Sequence, residues 1–152
     1  MVTLIGMGSG SWEALSAQAQ DAVRRAGLVF GAKRLLAGLP PECTARQFAL
    51  YQPAEILETL AQAPGQDAAV LYSGDTGFYS GASGLLTPLR ALGIPARVYP
   101  GVSSIQLLAA ALGRPWQDWK LVSAHGCACD PVAECMTERS VFFLTGGAET
   151  PA

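Results

Sequence analysis

The sequence predicts an α/β fold, with a mainly parallel sheet and helices on both faces. Three observations lead there. Short apolar runs alternate with helix-like stretches, and a parallel sheet needs such crossover helices. The run Ala68-Ala69-Val70-Leu71-Tyr72 is apolar throughout and bounded by turn residues, as expected of a strand covered on both faces. Glycines gather just after the strand-like runs, at Gly6, Gly8, Gly10, Gly31, Gly74, Gly77 and Gly101. Open α/β sheets bind their ligands at that edge.

Val2 to Met7 is β-branched and apolar, and Gly8-Ser9-Gly10-Ser11 breaks it. Ser16 to Ala26 follows as a helix: Ser16 can cap it, Ala19, Ala22, Val23 and Ala26 share a face, and Gly27 stops it. Leu28-Val29-Phe30 is a second strand ending at Gly31, and a short helix over Ala32 to Ala37 is closed by Gly38 and Pro40-Pro41. Phe48-Ala49-Leu50 is the third apolar segment, ahead of a helix from Pro53 to about Ala63, where proline suits the first turn. After Ala68–Tyr72 and the Ser73-Gly74-Asp75 break, Ser83 to Leu92 reads as a helix ending at Gly93. Ala96 to Tyr99 is a strand broken by Pro100-Gly101, and Ser103 to Leu112 a helix ending at Gly113. The character changes near Gly113-Arg114-Pro115-Trp116. Beyond lie strand-like Leu121-Val122-Ser123 and Val141-Phe142-Phe143-Leu144, a polar stretch rich in Cys and Asp between them, and a closing turn over 145–152 without a following helix.

Composition excludes several classes. At 152 residues the chain has one domain's worth of core, with 50% hydrophobic and only 14% charged residues, which sets it apart from disordered chains. Ten Lys plus Arg against twelve Asp plus Glu give −2, and the basic residues are scattered, so no nucleic-acid footprint is expected. No run approaches the ~18 apolar residues of a membrane span, and the N-terminus lacks a basic leader region; the expectation is a cytoplasmic protein. Cys127, Cys129 and Cys135 lie near the single histidine, His125. Their spacing fits none of the paired-ligand patterns of structural zinc, so reduced thiols and no metal are expected.

The first loop matches the dinucleotide fingerprint only in part. Gly6 and Gly8 fit, but the third position is Ser11, and the second strand ends Phe30-Gly31-Ala32-Lys33 without the ribose-binding acid. The same missing acid weighs against the usual Rossmann-like methyltransferases, and no phosphate loop of the Gly-x-x-x-x-Gly-Lys-Ser/Thr type is present.

Taken together, the turns carry more. Gly6-Met7-Gly8-Ser9-Gly10, Gly31-Ala32-Lys33-Arg34-Leu35-Leu36, Ser73-Gly74-Asp75-Thr76-Gly77-Phe78-Tyr79, Tyr99-Pro100-Gly101-Val102-Ser103-Ser104 and Ser123-Ala124-His125-Gly126 follow in order. In this the chain resembles the tetrapyrrole (corrin/porphyrin) methylase family, and within it the precorrin C5,15-methyltransferase or cobalt-precorrin C5-methyltransferase branch of cobalamin biosynthesis. The resemblance runs from Val2 to about Pro151. It implies a two-domain α/β enzyme that binds S-adenosyl-L-methionine and methylates a ring carbon of a precorrin. The implied cofactor residues are Ser9, Ser73, Gly74, Asp75, Phe78, Ser103 and Ser104. Lys33, Arg34 and His125 are candidates for the substrate and its carboxylates.

Each residue also has a plainer reading: Asp75 as a turn-forming side chain, Ser103 and Ser104 as helix caps, Phe78 as packing, Lys33 and Arg34 as a solvated helix start, His125 as structural. Two positions depart from the family pattern, Ser9 and Thr76 standing where proline is usual; both imply a more flexible turn. No catalytic acid or base is assigned, because the sulfonium already activates the methyl group. A non-catalytic binding module and a methylase acting at another ring carbon are the alternatives. The resemblance also admits a homodimer and a decarboxylating methyltransferase partner or fused domain. It divides the chain into an N-terminal domain over 1–114 and, over 115–152, a linker with the opening of an incomplete second domain. A chain truncated there is expected to fold, bind cofactor weakly and transfer little methyl alone.

Overall fold

The computed structural model describes residues 1–125 and 128–146. The chain forms two compact units, Met1–Ser103 and a second that begins at Ser104. Predicted turn residues after 146, with Gly126 and Cys127, lie outside the described residues.

The first unit is built on five strands: β1 Val2–Gly6, β2 Leu28–Phe30, β3 Arg46–Phe48, β4 Ala68–Tyr72 and β5 Ala96–Tyr99. They pair in the order β3-β2-β4-β1-β5, every pair parallel. Helices α1 Ala17–Arg25, α2 Lys33–Leu36, α3 Pro53–Ala61 and α4 Ala82–Ala91 make the crossovers, and a single 3-10 turn spans Trp12–Ala14. α1 starts where the Ser16 hydroxyl accepts a hydrogen bond from the Ala19 N–H at 3.2 Å, an N-cap that satisfies a donor the helix leaves open.

Alternation along the strands sorts the core into two layers. Ile5, Val29, Ala69 and Leu71 pack with Ala19 and Val23 of α1 and Leu35 and Leu36 of α2. Val2, Leu4, Leu28, Phe30, Ala68 and Val70 pack with Ile56 of α3 and Ala82, Leu85 and Leu89 of α4. The sheet therefore has helices on both faces, as the sequence predicts. The chain steps outward from β1 through β2 to β3, then returns to insert β4 between β2 and β1. The turn after β4 leads to α4 on one face, whereas those after β1 and β2 lead to α1 and α2 on the other. At the carboxyl end of β4, turns that lead to opposite faces of the sheet therefore lie side by side.

The third strand lies two residues earlier than the apolar segment Phe48-Ala49-Leu50 suggests. Its partner decides this: the Arg46 N–H donates to the Gly27 carbonyl at 3.0 Å and the Gly31 N–H to the Phe48 carbonyl at 3.2 Å. β2 has turned away by Ala32, leaving Ala49 and Leu50 nothing to pair with. Phe30 and Phe48, opposite each other in register, stack at 5.2 Å between ring centroids.

The second unit contains α5 Ser104–Leu112, β6 Lys120–Ser123, α6 Pro131–Cys135 and β7 Val141–Leu144. β6 and β7 pair in parallel, Lys120 opposite Val141 and Ser123 opposite Leu144. α6, a helix the polar stretch did not reveal, makes the crossover. The Asp130 carboxylate caps it, accepting from the Val132 and Ala133 N–H groups at 3.0 and 3.3 Å. Lys120 joins crossover to strand through its 2.7 Å ion pair with Glu134.

At the carboxyl edge of the first sheet the backbone crowds. A Cβ on Gly6 would stand 2.6 Å from the Gly101 nitrogen and 2.7 Å from the Gly74 carbonyl oxygen. Both obstacles are backbone, so neither can swing aside. Gly6→Ala should therefore cost about 2–4 kcal/mol in denaturant unfolding, far more than an alanine at Gly84, where a Cβ would meet nothing nearer than Pro53 at 3.6 Å.

Tyr72 closes β4 with its ring against the second core layer. Its hydroxyl is buried with no partner among the described residues, and burial pushes its pKa up from 10.0 to about 12. With the folded-state pKa raised, the unfolded chain releases its proton first. The related stability is complete below about pH 10 and is lost as pH climbs towards the folded value. Tyr72→Phe should raise stability by about 1 kcal/mol at neutral pH and remove this share of the alkaline loss, read from denaturant midpoints on either side of about pH 10.

Candidate functional site

Three turns meet at that edge. Gly8 and Gly74 exchange two hydrogen bonds, Gly8 N–H to the Gly74 carbonyl at 3.0 Å and Gly74 N–H to the Gly8 carbonyl at 2.9 Å. This reciprocal pairing needs both turns in a left-handed conformation, and Gly8 has φ +56° and Gly74 φ +66°, values that only glycine adopts cheaply. The third turn closes against them: a Cβ on Gly101 would stand 2.5 Å from the Gly6 carbonyl oxygen and closer still to that of Gly74.

Asp75 straps the turns together. Its Oδ1 accepts from the Gly77 N–H at 2.8 Å and its Oδ2 from the Gly101 N–H at 3.1 Å. The first bond forms the local turn and the second crosses from the β4 turn to the β5 turn. Thr76 adds another tie, its hydroxyl donating to the Tyr99 carbonyl at 3.4 Å. The absence of proline at this position is thus offset by a hydrogen bond between turns, a point the sequence pattern alone did not reveal.

The β2 turn joins through a side chain. Arg34 donates from Nη2 to the Ser73 hydroxyl at 2.5 Å. Its Nη1 lies 3.7 Å from where a Cβ on Gly10 would stand, so the guanidinium spans the ends of β1, β2 and β4. Among the described residues it has no carboxylate partner. A fork of donors is therefore presented beside the central turn. Lys33, beside it in α2, is exposed.

The structure brings most of the predicted residues to this one edge. Ser9 is exposed between Gly8 and Gly10, Ser73 is exposed against Arg34, and Phe78 is half-buried two residues beyond Thr76. Ser103 is buried at 3% exposure. Ser104, the first residue of α5, is exposed in the second unit. So is His125, just after β6, with its ring where a Cβ on Gly146 would go. Cys43 is buried in the first core layer, whereas Cys129 and Cys135 belong to the second unit. Sequence reasoning missed Thr76 as a tie and Tyr79, which alone among the described non-glycine residues has positive φ, at +47°. The dense glycines on both sides were the available signal for such a turn.

This donor set suits S-adenosylmethionine. The hydroxyls of Ser9 and Ser73 and the Asp75 carboxylate stand at one sheet edge, polar and anionic groups of the kind a zwitterionic, cationic ligand needs, on glycine turns fixed by their own hydrogen bonds.

A parallel sheet with interlocked glycine turns at its carboxyl edge defines a ligand-binding α/β protein. Residues 1–147 match the family model of the tetrapyrrole (corrin/porphyrin) methylases, and the chain belongs to that family. It is 32% identical over 147 residues to the cobalt-precorrin-7 C(5)-methyltransferase of Salmonella typhimurium, covering 95% of this chain and 71% of that enzyme. A probable cobalt-precorrin-7 C(5)-methyltransferase of Methanocaldococcus jannaschii is 30% identical over 133 residues, covering 83% of this chain and 61% of the relative. Among solved structures, the precorrin-6Y methylase of Archaeoglobus fulgidus has the same fold, with TM-score 0.69 at 22% identity over 95% of this chain and 72% of that one.

Removing the strap should loosen the edge. Asp75→Ala deprives two N–H groups of their acceptor and is expected to cost about 1–3 kcal/mol. Asp75→Asn, which keeps one acceptor oxygen, should cost less; urea midpoints of the two variants make the comparison.

Proposed function

We propose that this chain belongs to an S-adenosylmethionine-dependent C-methyltransferase that methylates a ring carbon, in the C5 branch, of a precorrin or cobalt-precorrin in cobalamin biosynthesis. The observation that carries the reading is the interlocked edge formed by Gly6, Gly8, Gly74 and Gly101 with its Asp75 strap, in a chain of the methylase family. The cofactor residues are Ser9, Ser73, Gly74, Asp75, Phe78, Ser103 and Ser104. Lys33, Arg34 and His125 take the substrate.

When bound, S-adenosylmethionine supplies a methyl group already activated by its sulfonium. The protein therefore has to bind, align and exclude water rather than provide a strong acid or base. The glycine turns offer rigid peptide groups as a fixed bed. Asp75 keeps a negative charge there even while its oxygens hold Gly77 and Gly101. Arg34, tied to Ser73, sets a guanidinium beside the same bed, where a substrate carboxylate makes a charge-assisted bond. This orients the macrocycle's electron-rich carbon. His125, which lies in the second unit, is taken as a substrate contact on the family resemblance alone.

Other ring positions are represented among relatives, as in the precorrin-4 C(11)-methyltransferase of Rhodococcus erythropolis, 32% identical over 120 residues. Assignment to C5 rests on the longer match to the Salmonella enzyme. The Sinorhizobium precorrin-6Y C(5,15)-methyltransferase [decarboxylating], of which the chain covers 32%, suggests that a decarboxylating function resides on a partner or a fused segment.

The test is calorimetric binding of S-adenosylhomocysteine, then methyl transfer to a precorrin with the product's methylated carbon assigned by NMR. Arg34→Gln should raise KM for the tetrapyrrole about tenfold, the worth of one charge-assisted contact, and leave cofactor affinity nearly unchanged. Failure to bind S-adenosylhomocysteine, or methylation elsewhere than C5, would overturn the corresponding part of the assignment.

A further inference from the structure

We propose that Tyr79 is a stacking platform for the flat face of the tetrapyrrole macrocycle. The inference rests on the methylase reading above and extends it to a residue for which the fold has no evident use. Tyr79 has φ +47°, a left-handed conformation in which an aromatic side chain is strained. Glycine or asparagine would make the same turn at less cost, so turn geometry does not explain a tyrosine here. Nor does packing, since the residue is 50% exposed. The ring is nonetheless held in place, edge-on against Phe78 at 4.9 Å between centroids and 70° between planes. Strain with little burial in return, on a ring of fixed orientation, points to a partner outside the fold.

Its place identifies the partner's chemistry. Tyr79 ends the turn that begins at Ser73, and Ser73 is the residue to which Arg34 is bonded. This turn therefore has at its start a guanidinium held by Ser73, without a carboxylate partner among the described residues, and at its end an exposed aromatic ring. S-adenosylmethionine also pairs a flat ring with a carboxylate, but it has only one and its ring is smaller, and the titrations below separate the two ligands. A polycarboxylate macrocycle matches both.

The experiment titrates the chain with uroporphyrin, a polycarboxylate porphyrin, by absorbance and fluorescence, and with S-adenosylhomocysteine by calorimetry. Tyr79→Asn removes the ring but suits the backbone; Tyr79→Phe keeps the ring. Tyr79→Asn should weaken porphyrin binding by about tenfold and Tyr79→Phe by less than about twofold. Both should bind S-adenosylhomocysteine like the parent and melt within about 2 °C of it. Unchanged porphyrin affinity in Tyr79→Asn overturns the proposal, as does a large loss of melting temperature, which makes the ring structural. Loss of S-adenosylhomocysteine affinity in that variant overturns it too, assigning the ring to the cofactor. If the parent chain binds S-adenosylhomocysteine but not uroporphyrin, stacking is refuted and the cofactor reading stands. If it binds neither, the methylase reading falls with it.

Discussion

The close approach of three backbones, at Gly6, Gly74 and Gly101, is the constraint on which the rest of the first unit depends. Neighbouring strands in a sheet lie about 4.8 Å apart, and turns leaving them normally diverge under the bulk of their side chains. Here the absence of Cβ atoms lets three turns converge, close enough for Gly8 and Gly74 to pair and for Asp75 to reach the Gly101 N–H. Order at the edge thus comes from peptide groups, which have few degrees of freedom. The side chains mounted on these turns are therefore held on a rigid support, which would lower the ordering cost of the proposed binding.

That convergence requires the sheet below it to be equally well determined. β4 is central because the chain reverses direction after β3, and its residues alternate between the two core layers, Ala69 and Leu71 on one side and Ala68 and Val70 on the other. A one-residue slip would exchange the layers and displace Ser73, Gly74 and Asp75 from their partners. Register is therefore set by core packing on two faces, and the geometry of the turns follows from it. The buried hydroxyl of Tyr72, unbonded among the described residues, marks where these demands meet, since the residue ends the strand and fills the core at the same time.

Much of this was legible in the sequence for a physical reason. A strand buried on both faces has to be apolar throughout, so Ala68–Tyr72 announces itself, and a break after each strand has to use residues that tolerate sharp turns. β3 was less legible because pairing with a short β2, rather than its own hydrophobicity, sets its limits. α6 is only five residues long and has no buried residue, so periodicity had nothing to register. At the site, glycine positions were readable, but the tasks of polar groups were not. Asp75 as a strap, Thr76 as a tie and the Arg34–Ser73 bond each join residues from different strands, and spacing along a chain carries no information about distance across a sheet.

The partition of charge along the edge follows from which side chain each turn sends across it. Asp75, on the central turn, is negative and oriented by two N–H groups, whereas Arg34 approaches from β2 without a carboxylate partner among the described residues. A direct Arg34–Asp75 ion pair would have cancelled both charges. Instead the guanidinium stops at Ser73, whose neutral hydroxyl holds it in position while leaving its charge available. The edge consequently keeps an anionic and a cationic group side by side, as the proposed cationic cofactor and anionic substrate would require. Replacing the serine by an acid would favour the pair over the ligands. A neutral hydroxyl at position 73 fixes the guanidinium beside the Asp75 turn without neutralising it.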